Sequence, residues 1–170
     1  EGAELTHSVN SKCLRVVLTV DGTTIQIESK VAMDVKTTTV STRLFSTQFN
    51  LPPRIIHVVD IHVALANKMA AWNERRLVRD LYDIWFLLQM NALPDEATLE
   101  SRLSKPSYST LIKKADYFTG KTCGEFYDFI RSHVAALSDE KICDELADYL
   151  PPSEVAGLAL LFKAAFAKLN

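Results

Sequence analysis

The stretch Leu65-Ala-Asn-Lys68-Met-Ala-Ala-Trp-Asn-Glu-Arg75-Arg-Leu-Val-Arg79-Asp80-Leu-Tyr-Asp83-Ile-Trp-Phe-Leu-Leu88 decides how this chain is read. Projected as a helix at about 100° per residue, residues 76–90 gather Leu77, Leu81, Ile84 and Leu88 into one apolar stripe, which Trp85 and Leu87 widen. Asp80 falls inside the stripe, between Ile84 and Leu87, and Asp83 lies about 60° further round. The run from Ile61 to Trp72 repeats the choice with the opposite sign: Ile61, Leu65, Met69 and Trp72 share a face, and Lys68 sits on its edge. A charge that faces a core is costly unless it is paired or kept wet by a cavity. Two readings are open: Lys68 and Asp80 pair across a helix–helix contact and fix its register, or they stand in a functional cavity.

Upstream, the pattern changes from helical to strand-like. Cys13-Leu-Arg-Val-Val-Leu-Thr-Val20 and Thr23-Thr-Ile-Gln-Ile-Glu28 flank Asp21-Gly22, a strong two-residue hairpin signal. If that turn sets the register, Val20 pairs with Thr23 and Arg15 lies opposite Glu28. The β-branched run Thr37–Phe45 suggests a third strand, and Ile55–Val59 a short strand leading into the first helix. From Asp60, a candidate N-cap, the chain is helical: 61–72, 76–90, 95–104, 107–117, 122–136, 139–149 and 153–169, with Asp95, Ser107, Thr122, Ser138 and Ser153 as further cap candidates. The element order predicts an α+β fold, a small antiparallel or mixed sheet followed by a helical bundle, with residues 1–59 strand-rich and 60–170 helical.

Composition narrows the function classes. Of 170 residues, 48% are hydrophobic and 24% charged, which is ordinary for a globular chain. A net charge of −2 gives no support for a broad nucleic-acid-binding surface, although Arg75, Arg76 and Arg79 make a local basic patch. Three widely spaced cysteines, Cys13, Cys123 and Cys143, fit a reducing compartment and form no zinc pattern. No apolar run reaches membrane-spanning length. His57, His62 and His133 read as packing or surface residues, and Phe126, Phe129 and Ile130 as a core stripe. Lys113, Lys114 and Lys121 read as a small solvated basic patch.

Lys68, followed by Arg75 and then Arg79-Asp80-Leu-Tyr-Asp83, resembles the nucleotidyltransferase toxins of the AbiEii/AbiGii family, in which a lysine-bearing helix precedes an Arg-Asp-x-Tyr-Asp helix. Looser similarity runs upstream to the strand that contains Glu28. The resemblance implies a nucleotidyltransferase-like core that moves a nucleotidyl group from an NTP to an RNA or protein acceptor. It also implies Mg²⁺, a cognate antitoxin and a cytoplasmic setting. By the same resemblance Lys68 contacts the nucleotide phosphates, with Arg75 and Arg79 as further phosphate-binding candidates. Asp80 and Asp83 orient that lysine or a nucleotide-bound water, and Glu28 supplies a metal carboxylate. The residues themselves leave alternatives: Arg79 can pair with Asp83 at i, i+4, and Glu28 can pair across the strands with Arg15.

One family block is missing. No glycine is followed by serine, and no Asp-x-Asp stands on a strand. In the family that block lies upstream of the hairpin, where residues 1–12 are all that remain. The expectation is therefore the C-terminal portion of a longer protein, unable to carry out transfer alone. The competing expectation is a non-catalytic helical interaction module in which Lys68, Arg79, Asp80 and Asp83 form a buried charge network.

Overall fold

The computed structural model describes residues 3–9, 13–29, 35–105, 117–120 and 122–169. Packing divides the chain into two units, Glu1–Lys36 and Thr37–Asn170, and the fold is α+β.

In the first unit β1 (Ala3–Val9), β2 (Leu14–Val20) and β3 (Thr23–Ser29) form an antiparallel sheet in that order. Asp21 and Gly22 close the β2–β3 hairpin with φ of 48° and 78°. Two successive left-handed residues make the tight turn whose twist matches that of the flanking strands. Val20 then pairs with Thr23 and Arg15 stands opposite Glu28, as that turn requires. The register places Leu5, Val16, Leu18, Ile25 and Ile27 on one face and Thr6, Arg15, Gln26 and Glu28 on the other. The sequence pattern does not announce β1. Its alternation is short, and no turn dipeptide ties it to β2.

In the second unit the run Thr37–Phe45 divides. Thr37–Ser41 is β4, and Arg43–Gln48 is the helix α1. The expected third strand therefore stops early, because the Thr42 carbonyl accepts from Ser46 N–H at 2.7 Å and its hydroxyl lies 2.9 Å from that of Ser46. These i, i+4 contacts favour a helical turn. The strand β4 pairs antiparallel with β5 (Ile55–Val59) in a sheet of its own rather than joining the hairpin.

The helices follow as α2 (Ile61–Arg75), α3 (Val78–Gln89), α4 (Glu96–Ser104), α5 (Cys123–Ala135), α6 (Asp139–Leu146), α7 (Pro152–Val155) and α8 (Leu158–Phe166). The side chains of Asp60, Asp95, Thr122 and Ser138 cap α2, α4, α5 and α6, and Thr122 with Glu125 completes a reciprocal capping box. The expected single terminal helix over 153–169 is two, since Gly157 at φ 83° breaks it and Pro151, not Ser153, precedes α7. The expected helix 107–117 and Ser107 lie almost wholly outside the described residues, as do Lys113, Lys114 and Lys121. Among the described residues no helix is long and apolar enough to cross a membrane.

The core joins Leu65, Met69 and Trp72 of α2 to Leu81 and Ile84 of α3, with Leu99 of α4, Phe126 and Ile130 of α5, and Phe162 of α8. Trp72, Phe126 and Phe129 contact one another edge-on or tilted. His133 completes that cluster, its ring 4.4 Å from Phe129 and 5.5 Å from Trp72. His62 lies against Leu93, with Nδ1 2.7 Å from the Leu93 carbonyl oxygen. Both histidines are engaged in packing or backbone contacts.

The joint between α2 and α3 fixes what the site becomes. Arg76 adopts the left-handed conformation (φ 59°, ψ 35°), and its guanidinium stacks 4.3 Å from the Trp72 ring and 4.9 Å from Phe129. The same group donates to the Trp72 and Asn73 carbonyls and to Asn73 Oδ1, which offsets the strain of a non-glycine residue at positive φ. Leu77 offers no side chain to cap α3, and Glu145 of α6 does so instead, accepting from Val78 N–H at 2.8 Å.

Asn73 is the hub of this joint. Buried at 2% exposure, it donates to the Phe118 carbonyl at 3.2 Å and accepts from Phe118 N–H at 3.1 Å and Arg76 at 2.9 Å. Truncation in Asn73→Ala removes the partner of the Phe118 N–H and carbonyl, at about 1–3 kcal/mol each for the ones water cannot reach, while Arg76 keeps the Trp72 and Asn73 carbonyls. The expected loss is about 3 kcal/mol in urea unfolding, read as a lower midpoint at an unchanged slope. A loss below about 1 kcal/mol would show that Phe118 is held by other contacts.

Candidate functional site

The joint folds α3 back along α2, so residues at similar distances from it come face to face. The result is two rungs. Near the joint, Arg75 meets Asp80 through two hydrogen bonds, Nε to Oδ2 at 3.1 Å and Nη2 to Oδ1 at 2.5 Å. One to two turns further out, the Lys68 ammonium is bonded to the Asp83 carboxylate. The anticipated Lys68–Asp80 pairing is thus replaced by Lys68–Asp83 and Arg75–Asp80.

The rungs differ in burial. The Asp80 side chain is 2% exposed and that of Arg75 46%, whereas Lys68 and Asp83 are each 42% exposed. The Arg75 guanidinium is held above its ordinary pKa, chiefly by the hydrogen bonds it donates to Asp80, with burial opposing and the charge of Asp80 adding to the rise. The inner rung is a fork-shaped bidentate pair closed on one side by the core. The outer rung is a wet ion pair that exchanges partners at little cost.

A cavity of about 490 Å³ opens beside the rungs. Its polar lining is Lys68, Arg75, Asp83 and Asn67, and Val59, Ala64, Ala71, Phe86 and Leu87 make its apolar walls. Three of the six site residues expected from sequence therefore share one space, with Asp80 directly behind Arg75. Arg79 turns elsewhere: it is exposed and donates to the Tyr149 hydroxyl at 3.1 Å, while Asp83, its expected i, i+4 partner, is bonded to Lys68. Glu28 stands on the polar face of β3 in the first unit, where it accepts from Gln26 Nε2 at 3.0 Å. Arg15, across the ladder from Glu28, donates to Gln26.

Two further residues shape this cavity, one on its wall and one behind it. Asn67 lines it, and Arg102 of α4 lies behind, donating to Asn67 Oδ1 at 2.8 Å and to Glu74 at 3.1 Å. Asn67 is legible only in hindsight, as an amide beside the lysine on a largely apolar helix. Arg102 lies 34 positions after Lys68 in sequence, and no local period reaches that far. Cys123 is no candidate nucleophile, since burial pushes its thiol up to about 11 and keeps it protonated at neutral pH.

A divalent cation would need several hard oxygen ligands converging on one point. Among the described residues no three His, Cys, Asp or Glu side chains do so. Both aspartates at the cavity are engaged by cations, and these residues do not by themselves fit a metal.

A family model described as nucleotidyl transferase AbiEii toxin, type IV toxin–antitoxin system, matches residues 3–145. The match runs from β1 nearly to the end of α6 and takes in every candidate residue named here. No curated protein and no solved structure matches the chain.

Proposed function

Since the chain belongs to the AbiEii family of nucleotidyl transferase toxins, we propose that its α2–α3 cavity binds the triphosphate of an NTP whose nucleotidyl group passes to an RNA or protein acceptor. The observation that supports this most is Lys68: a half-exposed ammonium at the cavity wall, bonded to one carboxylate that a polyphosphate can displace. Surface ion pairs of this kind contribute about 0–1 kcal/mol, so exchanging Asp83 for phosphate oxygens loses little.

In the reaction an acceptor nucleophile forms a bond to the α-phosphorus, the bond from that phosphorus to the bridging oxygen breaks, and pyrophosphate leaves with the added negative charge. In this reading Lys68 and Arg75, both lining the cavity, take up that charge, which counts most where apolar walls exclude water. Asp83 orients Lys68, and Asp80 holds Arg75 in a fixed fork. Arg79, exposed and bonded only to the Tyr149 hydroxyl in the hydrogen bonds described, would meet the acceptor from that side by exchanging this bond. Glu28 is the candidate for one metal carboxylate. A dependence on Mg²⁺ rests on the family, and the same holds for a cognate antitoxin and a cytoplasmic setting, where NTPs are available.

The test is position-specific labelling. Incubating the complete protein with NTPs labelled at either the α- or the γ-phosphate, with Mg²⁺ and cellular RNA or protein, is expected to label the acceptor from the α position only. Label arriving from the γ position alone would make it a phosphoryl transferase. Label from neither would favour the non-catalytic module, with both rungs as structural pairs.

A further inference from the structure

We propose that Asn67 reads the nucleobase in this cavity, and that Arg102 is a positioning residue that fixes which way the Asn67 amide faces. This assignment rests on the nucleotide reading of the cavity and adds to it the device for choosing among NTPs.

Asn67 and Lys68 are neighbours on α2, and both line the cavity. One helix thus presents a cation and, about 100° round, an amide to the same space. Ala64, Phe86 and Leu87 supply apolar wall beside them, with Phe86 52% exposed and open to stacking by a flat ring. A triphosphate drawn to Lys68 leaves the base to find the apolar part of the cavity and its one neutral hydrogen-bonding side chain.

The amide of Asn67 is half used. Its Nδ2 donates to the Val63 carbonyl at 3.0 Å, and its Oδ1 accepts from Arg102 at 2.8 Å. An asparagine amide has two N–H donors and two oxygen lone pairs, so one donor and one acceptor remain for a ligand. Their order is locked. Flipping the amide would turn its NH₂ toward the Arg102 guanidinium, donor against donor, and its oxygen toward the Val63 carbonyl. Arg102 in turn is held by Glu74, a carboxylate 4% exposed, at 3.1 Å.

A locked amide separates bases by the order of their edges. Adenine and cytosine show an exocyclic amino donor beside a ring-nitrogen acceptor. Guanine and uracil show a ring N–H donor beside an exocyclic carbonyl. A free asparagine meets either order by flipping, but one clamped by Arg102, with the phosphates anchored at Lys68, meets one order well and leaves the other with facing like groups. The clamp would therefore divide the four NTPs into an amino-base pair and a keto-base pair.

Competition among ATP, CTP, GTP and UTP for the complete protein tests this. The native protein is expected to favour one pair over the other by about tenfold or more. Asn67→Ala and Arg102→Met should each bring that ratio to within about threefold, the first by removing the reading edge and the second by letting it turn. Lys68→Ala should weaken all four nucleotides together and leave the ratio alone. If the ratio is unchanged in Asn67→Ala, or the native protein does not distinguish the pairs, Asn67 does not read the base, although the cavity still binds nucleotide. If no NTP binds the native protein, the nucleotide reading falls and this assignment with it. Should Arg102→Met unfold because the Arg102–Glu74 pair is lost, Asn67→Ala decides alone.

Discussion

Lys68→Ala is expected to cut nucleotidyl transfer by about a hundredfold or more while leaving the fold intact. The side chain is 42% exposed and paired with an equally exposed Asp83, so its removal changes stability by no more than about 1 kcal/mol. Its loss in the reaction is larger, because the charge on departing pyrophosphate develops in the transition state beside apolar walls. Lys68→Arg restores the charge with a longer, planar group and should recover part of the rate. Asp83→Asn should retain more activity than Lys68→Ala, since it frees the ammonium without deleting it. The measurement is initial rate of label transfer alongside a thermal unfolding midpoint. Full activity in Lys68→Ala would remove Lys68 from the chemistry and with it the main support for the cavity as the nucleotide site.

Asp80→Ala is expected to act the other way, through the fold. The carboxylate lies within the apolar stripe of α3 and accepts two hydrogen bonds from Arg75. Deleting it leaves a small cavity and a guanidinium that has lost its partner. Breaking a fully buried pair costs about 3–5 kcal/mol, but Arg75 is 46% exposed and can rehydrate, so about 2–3 kcal/mol is expected here. Chemical denaturation of Asp80→Ala, Arg75→Met and the double variant separates the terms. The double variant should be less destabilised than the sum of the singles, because the pair is lost once. Native stability in Asp80→Ala together with lost transfer would assign Asp80 to the chemistry rather than to the support of Arg75.

The two rungs also show how far sequence reasoning reached. The faces of α2 and α3 were legible, because a helix repeats its own geometry locally and Asp80 inside an apolar stripe has few outlets. The partners were not, because the pairing depends on the turn between the helices, and left-handed Arg76 carries no glycine to announce it. The hairpin was legible down to its register, since Asp21-Gly22 dictates which residues oppose. Similarly, four of the helix caps could be placed from side-chain chemistry alone. What escaped depends on distant chain: β4 pairs with β5 instead of the hairpin, Glu145 caps α3 across 67 positions, and Arg102 reaches Asn67 across 35. The break in the terminal helix stands between these cases. Gly157 was visible, but a glycine inside an apolar helical run does not always interrupt it.

The elbow at Arg76 and Leu77 sets a limit on how this protein can change. Two residues connect the lysine-bearing rod to the aspartate-bearing one, and both rods are clamped at that end. One residue inserted within α2 between Lys68 and the elbow would turn Lys68 by roughly 100° and shift it about 1.5 Å relative to that joint, taking it off Asp83. Length variation should therefore collect elsewhere along the chain, and the interval from Lys68 to Asp83 should be inherited as a fixed ruler.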